Sequence, residues 1–392
     1  MPAPDSAVAW VDQVLADAVA KRASDIHFEP LGATCRIRLR IDGLLEEHAQ
    51  LPQHLTDAVT ARIKVMAQLD IGEKRLPQDG RLKLTQANAA HEFRVSSCPT
   101  LFGEKIVLRH VDALIHLPKT DQLGMRSEQH AQLEAALACP WGLILVTGPT
   151  GSGKTVTLYA ALQQLNQTHR NISTIEDPIE MTLPGVNQVA HHEGIGLTFA
   201  HALRAFLRQD PDVLMIGEIR DRTTAKIAVQ AAQTGHLILS TLHTNTALAT
   251  LTRLLHLGVD RADVASACRL IIAQTLMRTL HACKTHDRST SAQRLMAKSP
   301  GAKVYRAVGC PACRRGYLGR TGVFETLPIT QTLQAQIAQG HSDVGLAAQI
   351  QKQGGQTLNQ AALAHVLEGR SSMAEYQRIT ATLNEPSVAG LA

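Results

Sequence analysis

Gly148-Pro149-Thr150-Gly151-Ser152-Gly153-Lys154-Thr155 puts three glycines, a lysine and a terminal hydroxyl into one short run of the form G-x-x-x-x-G-K-T. Glycines at 148, 151 and 153 tolerate positive φ and close backbone approach. Successive N–H groups of such a loop turn inward toward phosphate oxygens, aided by the positive end of a following helix. Lys154 then sets an ammonium against the β- and γ-phosphates, and Thr155 offers its hydroxyl to Mg²⁺. Three further segments carry acids or histidine. Asp212-Val-Leu-Met-Ile-Gly-Glu218 is an apolar run that delivers a carboxylate, the group such sites use to position or activate water. Thr174-Ile-Glu176-Asp177-Pro178-Ile-Glu180 brings acids directly after another apolar run, and Glu176 and Asp177 are expected to reach one Mg²⁺–water cluster. Leu237-Ile-Leu-Ser-Thr-Leu-His243 ends in a histidine. A lone histidine is usually structural, but ligands of α/β sheets gather at the carboxyl ends of strands.

These groups need elements to hold them. Leu143–Val146 reads as a buried strand and Val156–Leu165 as a helix, which gives the phosphate loop its strand–loop–helix setting. Further strands are expected at Ile172–Ile175, Val186–Val189, Val213–Ile216 and Leu237–Ser240, alternating with helices in a mostly parallel sheet. Val264–Leu280 is expected to be a helix closing that sheet, 284–303 a polar loop, and the chain after Glu325 helical. Upstream, Ala7–Ala23 and His54–Leu69 carry helical periodicity. Cys35-Arg-Ile-Arg-Leu-Arg-Ile41 alternates as a strand does, with Arg36, Arg38 and Arg40 on one face. Either a solvated outer face or a nucleotide on a neighbouring molecule accounts for those arginines. The expected domains are an α+β region at 1–112, a linker at 113–124, a sheet core at 125–280, a small subdomain at 281–322 and a helical region at 323–392.

Composition narrows the function classes. The 392 residues carry a net charge of +5, with 44% hydrophobic and 3% aromatic content. So few aromatics argue against stacking platforms for single-stranded nucleic acid. No apolar run approaches the ~20 residues that span a bilayer, and the first residues have no secretion-signal pattern. Cys35, Cys98, Cys139 and Cys268 stand singly and are expected to be packed or inert thiols, as in a reducing cytoplasm.

With its ordered motifs, the chain resembles the traffic ATPases of the secretion superfamily, in the branch of type II secretion and type IV pilus assembly. The resemblance rests on Ala23-Ser-Asp-Ile-His-Phe-Glu-Pro30, Leu76-Pro-Gln-Asp-Gly-Arg81, the phosphate loop, Thr174–Glu180, Leu203-Arg-Ala-Phe-Leu-Arg-Gln-Asp-Pro-Asp212, Gly217-Glu-Ile-Arg-Asp221 and Gly235–Asn245. It implies an α/β protein: a PAS-like N-terminal domain, then a RecA-like ATPase domain with a small zinc-type insertion and a helical C-terminus. It implies ATP and Mg²⁺ as ligands, a homo-hexameric ring, and motion passed to an inner-membrane platform protein that lifts pilin or pseudopilin subunits. The chain would then be cytoplasmic, associated with the inner membrane through that partner and without direct nucleic-acid contact. Carried onto this sequence, Glu218 is the catalytic acid, and Glu176, Asp177 and Glu180 are the acidic box. His236 and His243 are the histidine box. Arg94 and Arg109 are N-terminal arginines that reach the γ-phosphate, and Arg204 and Arg208 precede the acidic strand.

Two departures from that family stand out. Relatives often carry a further N-terminal docking domain, so recruitment here is expected to differ or to use a separate protein. Assembly-type relatives have two C-x-x-C pairs; this chain keeps Cys310-Pro-Ala-Cys313 but has His281-Ala-Cys283-Lys-Thr-His286 in place of the first. Cys283, His286, Cys310 and Cys313 form a Cys₃His set for Zn²⁺, with His281 the competing fourth ligand. By the same resemblance, the retained pair points to assembly or secretion rather than pilus retraction. The alternatives are a RecA-like nucleic-acid translocase and a non-catalytic ATP-binding scaffold.

Overall fold

The computed structural model describes residues 6–86, 89–111, 117–299 and 301–383. Part of the expected linker, at 113–116, falls outside them, as does residue 112 at the end of the expected first region. The chain forms two compact units, residues 1–116 and 117–392.

The first unit contains helices α1 (Ala7–Ala20) and α2 (Gln53–Met66) and strands β1 (Asp25–Pro30), β2 (Thr34–Ile41), β3 (Leu44–Pro52), β4 (Gln78–Gln86), β5 (Ala89–Thr100) and β6 (Gly103–His110). The strands form one sheet in the order β3-β2-β1-β6-β5-β4, antiparallel throughout. Alternation sends Ile26, Phe28, Ile37, Leu39, Phe93, Val95, Ile106 and Leu108 to one face, where they share a core with Val11, Leu15, Val59 and Ile63 of the two helices. The opposite face is charged. Glu29 receives Arg36 at 3.0 Å, Arg38 at 2.7 Å and Lys105 at 3.1 Å. These cations hold its carboxyl down at about 2 against the upward push of burial. The arginines of β2 are therefore ion-paired within their own sheet. Of the two readings, packed or inert, Cys98 is not packed: it is exposed, because it lies on this face and not in the core.

The second unit is built on a seven-stranded sheet. Its elements are α3 (Ser127–Leu137), β7 (Gly142–Thr147), α4 (Lys154–Leu165), β8 (Ile172–Glu176), β9 (Asn187–Ala190), α5 (Phe199–Phe206), β10 (Val213–Ile216), α6 (Arg222–Gln233), β11 (Leu237–Leu242), α7 (Ala247–His256), α8 (Arg261–Ala267), β12 (Cys268–Leu280), β13 (Thr285–His286), α9 (Thr290–Lys298), β14 (Tyr305–Arg306), β15 (Tyr317–Pro328) and the helices α10 (Gln331–Ala338), α11 (Asp343–Lys352), α12 (Leu358–Leu367) and α13 (Met373–Leu383). The sheet order is β15-β12-β7-β11-β10-β8-β9. All pairs are parallel except β12 with β15. Helices cover both faces: Ile144, Val146 and Leu239 meet α3 and α4, whereas Leu143, Leu145, Leu214 and Ile238 meet α5 to α8.

The expected helix at 264–280 is mostly a strand. Only α8 is helical, and β12 runs on from Cys268 between β7 and β15. A run that is apolar on every side fits a strand buried on both faces as well as it fits a helix. β15 crosses the expected boundary at 322 and keeps the chain extended to Pro328. Within the expected loop at 284–303, Ser289 caps α9 by accepting from Ala292 N at 3.3 Å.

Candidate functional site

The phosphate loop joins β7, buried along its whole length, to α4. Gly148, Gly151 and Gly153 adopt φ of 144°, 78° and 89°. A Cβ on Gly148 would lie 2.2 Å from the Gln274 carbonyl oxygen, so only glycine lets the loop enter here. Gln274, on β12, supports the loop from beneath. Its Nε2 donates to the Ser152 carbonyl at 2.7 Å, and its Oε1 accepts from the Thr157 hydroxyl at 2.8 Å. All three residues are buried. Lys154 donates to the carbonyls of Gly148 at 2.8 Å and Pro149 at 3.1 Å. Burial lowers its ammonium to about 8, opposed by the charge of Glu218. Thr155 follows in the first turn of α4. The positive-φ glycines, the cationic side chain and the helix N-terminus together fit a polyphosphate.

Acidic and basic groups from neighbouring strand ends meet beside this loop. Glu218, just past β10, pairs with Arg220 at 2.5 Å and His243 at 3.4 Å. The His243 hydrogen bond, then Arg220, hold its carboxyl at about 2 although burial pushes upward. Asp177 lies 3.9 Å from Arg220 and 3.6 Å from His191. The reading from residues joined Glu218, Asp177 and His243 but gave no role to Arg220, His191, Gln274 or Tyr159. Arg220 was legible, since it lies two residues after the strand-end acid within the quoted Gly217–Asp221.

Glu176 does not share that cluster. It is the last residue of β8, and successive side chains of an extended stretch point opposite ways. Glu176 turns into the protein, 3% exposed, while Asp177 faces Arg220. Glu180 is held through its backbone N–H, which donates to the Tyr159 hydroxyl at 3.3 Å. Arg204 and Arg208 are exposed on and just after α5, and Arg208 donates to the Arg204 carbonyl at 2.8 Å. Arg94 and Arg109 belong to the first unit, opposite one another on β5 and β6, and Arg109 pairs with Asp25 at 2.9 Å. His236 binds the Ala231 carbonyl at 3.1 Å.

A second cluster gathers His281, Cys283, Cys310 and Cys313, whose donor atoms all lie within 4.8 Å of one another. Cys283 and Cys310 are each 3.6 Å from the Cys313 sulfur, and Cys310 is 3.5 Å from His281 Nδ1. Tetrahedral ligands on ~2.3 Å bonds sit about 3.8 Å apart, so the set fits such a metal. This corrects His286 as fourth ligand: its ring stacks on Tyr305 at 4.6 Å, held there by the pairing of β13 with β14.

A phosphate loop entering a helix, with a strand-end carboxylate beyond a parallel neighbouring strand, defines a phosphate-loop nucleotide-binding protein. Residues 4–378 match the family model described as type II/IV secretion system protein, and the chain belongs to that family. It is 47% identical over 382 residues to the type IV pilus assembly ATPase PilB of Acinetobacter baylyi, covering 95% of this chain and 66% of that protein. It is 44% identical to the type II secretion system ATPase E of Vibrio cholerae, covering 94% and 74%. The chain thus spans about two thirds of the length of that pilus-assembly relative. Among solved structures, the pilus retraction motor PilT with bound ADP matches with TM-score 0.62 and 26% identity, covering 93% of this chain and 95% of that one. The Legionella pneumophila ATPase DotB matches in fold with TM-score 0.71 at 22% identity, covering 97% and 98%.

Proposed function

We propose that this chain is the ATP-hydrolysing subunit of a hexameric motor that drives assembly of pilin or pseudopilin filaments. The observation that carries the reading is Glu218, ionised and aimed by Arg220 and His243, beside the lysine of a complete phosphate loop. Mg²⁺-bound ATP would supply the phosphoanhydride bond and metal charge. The loop N–H groups, Lys154 and the Thr155 hydroxyl hold the polyphosphate and its cation. Glu218 orients the attacking water and accepts its proton, while Arg220 and His243 fix the carboxylate.

In this reading the first unit is PAS-like and the second RecA-like. Arg94, Arg109, Arg204 and Arg208 meet phosphate or neighbouring subunits in the ring. His281, Cys283, Cys310 and Cys313 hold a structural Zn²⁺. In the same reading the motor works on an inner-membrane platform protein from the cytoplasmic side. No described helix is long and apolar enough to cross a membrane.

ATP turnover per chain, measured across a protein concentration series beside Glu218→Gln, tests the motor reading. Turnover that climbs with concentration and vanishes in the variant is expected, with ATP binding retained. Full turnover in Glu218→Gln would remove that residue from the role.

A further inference from the structure

Tyr159 sits on α4 in the turn after the phosphate-loop lysine and is fully buried, although its phenol is polar. The hydroxyl donates to Glu176 Oε2 and accepts from the backbone N–H of Glu180. The other carboxylate oxygen of Glu176 accepts from the Thr174 hydroxyl at 2.6 Å and from Gln188 Nε2 at 3.0 Å. Gln188 also donates to the Met181 carbonyl at 3.0 Å. Three donors thus converge on a carboxylate shut off from solvent, and a carboxylate offers about four acceptor positions. Burial and the adjoining carboxylate push the Tyr159 phenol far up, so it keeps its proton and stays a donor. The turn tied down in this way is the one that presents Asp177 to Arg220, the partner of Glu218.

We infer that Tyr159 and Glu176 are positioning residues. Together they lock the acidic turn onto the phosphate-loop helix, so that Asp177 keeps register with Arg220 and Glu218, and Glu176 contacts neither Mg²⁺ nor nucleotide. The inference rests on the ATPase reading and changes the part played by one member of its acidic box. A free phenol oxygen here would leave α4 and the 176–181 turn to move independently. With it, a shift of the helix that carries Lys154 moves the acidic turn as well.

The test uses the full chain with Tyr159→Phe and Glu176→Gln, two changes that preserve shape. A fluorescent ATP analogue is titrated at a series of Mg²⁺ concentrations, and ATP turnover is measured separately. For both variants, nucleotide affinity and the Mg²⁺ half-saturation of binding are expected to stay within twofold of the parent. For Tyr159→Phe, kcat is expected to fall tenfold or more with KM unchanged. A tenfold or greater rise in Mg²⁺ half-saturation for Glu176→Gln would overturn the inference, because it would make Glu176 a metal contact. Full kcat in Tyr159→Phe would overturn it as well, as would a loss of affinity equal to the loss of kcat. If Tyr159→Phe does not fold, the Mg²⁺ titration of Glu176→Gln decides alone. Absence of turnover in the parent would instead count against the ATPase reading, and the binding titration would still judge Glu176.

Discussion

Gln274→Leu removes the amide side chain that hydrogen-bonds the phosphate loop from below, at nearly constant volume. The Ser152 carbonyl and the Thr157 hydroxyl each lose a partner, with Ser152 3% and Thr157 2% exposed. A buried polar group stripped of its partner costs about 1–3 kcal/mol, so the pair predicts a loss of about 2–6 kcal/mol. Thr157→Val leaves only the Gln274 oxygen unpaired and should cost about 1–2 kcal/mol. The double variant removes both ends of the Thr157 bond, so its cost should fall short of the sum by about 1–2 kcal/mol. The chain has two tryptophans, Trp10 in the first unit and Trp141 directly ahead of β7. In a Trp10→Phe background, Trp141 fluorescence therefore follows urea unfolding of the second unit alone. If part of the loss appears as loop misplacement instead, ATP affinity weakens; about 2 kcal/mol would be roughly thirtyfold. A Gln274→Leu cost below about 0.5 kcal/mol with unchanged affinity, or strict additivity with Thr157→Val, would refute the reasoning.

Glu375, fully buried, accepts from Arg278 at 2.7 Å and from Arg378 at 2.7 Å. Those hydrogen bonds hold its carboxyl at about 2 against burial, below the ordinary 4.5. Its stabilisation is therefore complete above pH 4.5 and lost as pH falls toward 2. Glu375→Ala should cost about 3–5 kcal/mol at pH 7 in urea unfolding, and that gap should close in acid; a gap independent of pH would contradict the pairing. Lys154, lowered to about 8 by burial, must keep its proton to meet phosphate and loses it as pH rises through 8. ATP affinity should accordingly weaken as pH rises above 8, approaching tenfold per unit, and a flat titration to pH 10 would count against it. Zinc measured by mass spectrometry should approach about one ion per chain in the parent and in His286→Ala but fall in His281→Ala. Only a trace of zinc in parent protein purified without chelator would exclude the site.

The sequence made the phosphate loop and the strands around it legible because their signal is local. Six residues of β7 are all buried, and a glycine-rich turn follows at once. Glu218 was legible for the same reason, as the acid just past an apolar run. β12 was misread because its apolar residues face two sheet neighbours and helices on both sides, which erases any period. His286 and His281 could not be separated by spacing. The choice depends on β13 pairing with β14 across the intervening α9, a contact that residue spacing does not reveal. Glu176 and Asp177 looked like one acidic pair because adjacent letters conceal the alternation of an extended backbone. Gln274 carried no motif at all; its role exists only because β12 inserts beside β7.

That insertion also sets an order of events during synthesis. β7 leaves the ribosome first among the strands of its sheet, yet both its neighbours, β11 and β12, are made much later. The loop that follows it therefore emerges without flanking strands or the Gln274 prop, and nucleotide has no finished cradle to stabilise. Pairings of such separation close slowly and leave apolar edges exposed meanwhile. A fragment ended at Leu280 would contain every residue of the phosphate loop and its acidic partners. It would still present β12 as a bare apolar edge where β15 belongs, a surface that invites aggregation. The smallest autonomous form of this nucleotide site extends at least to Pro328.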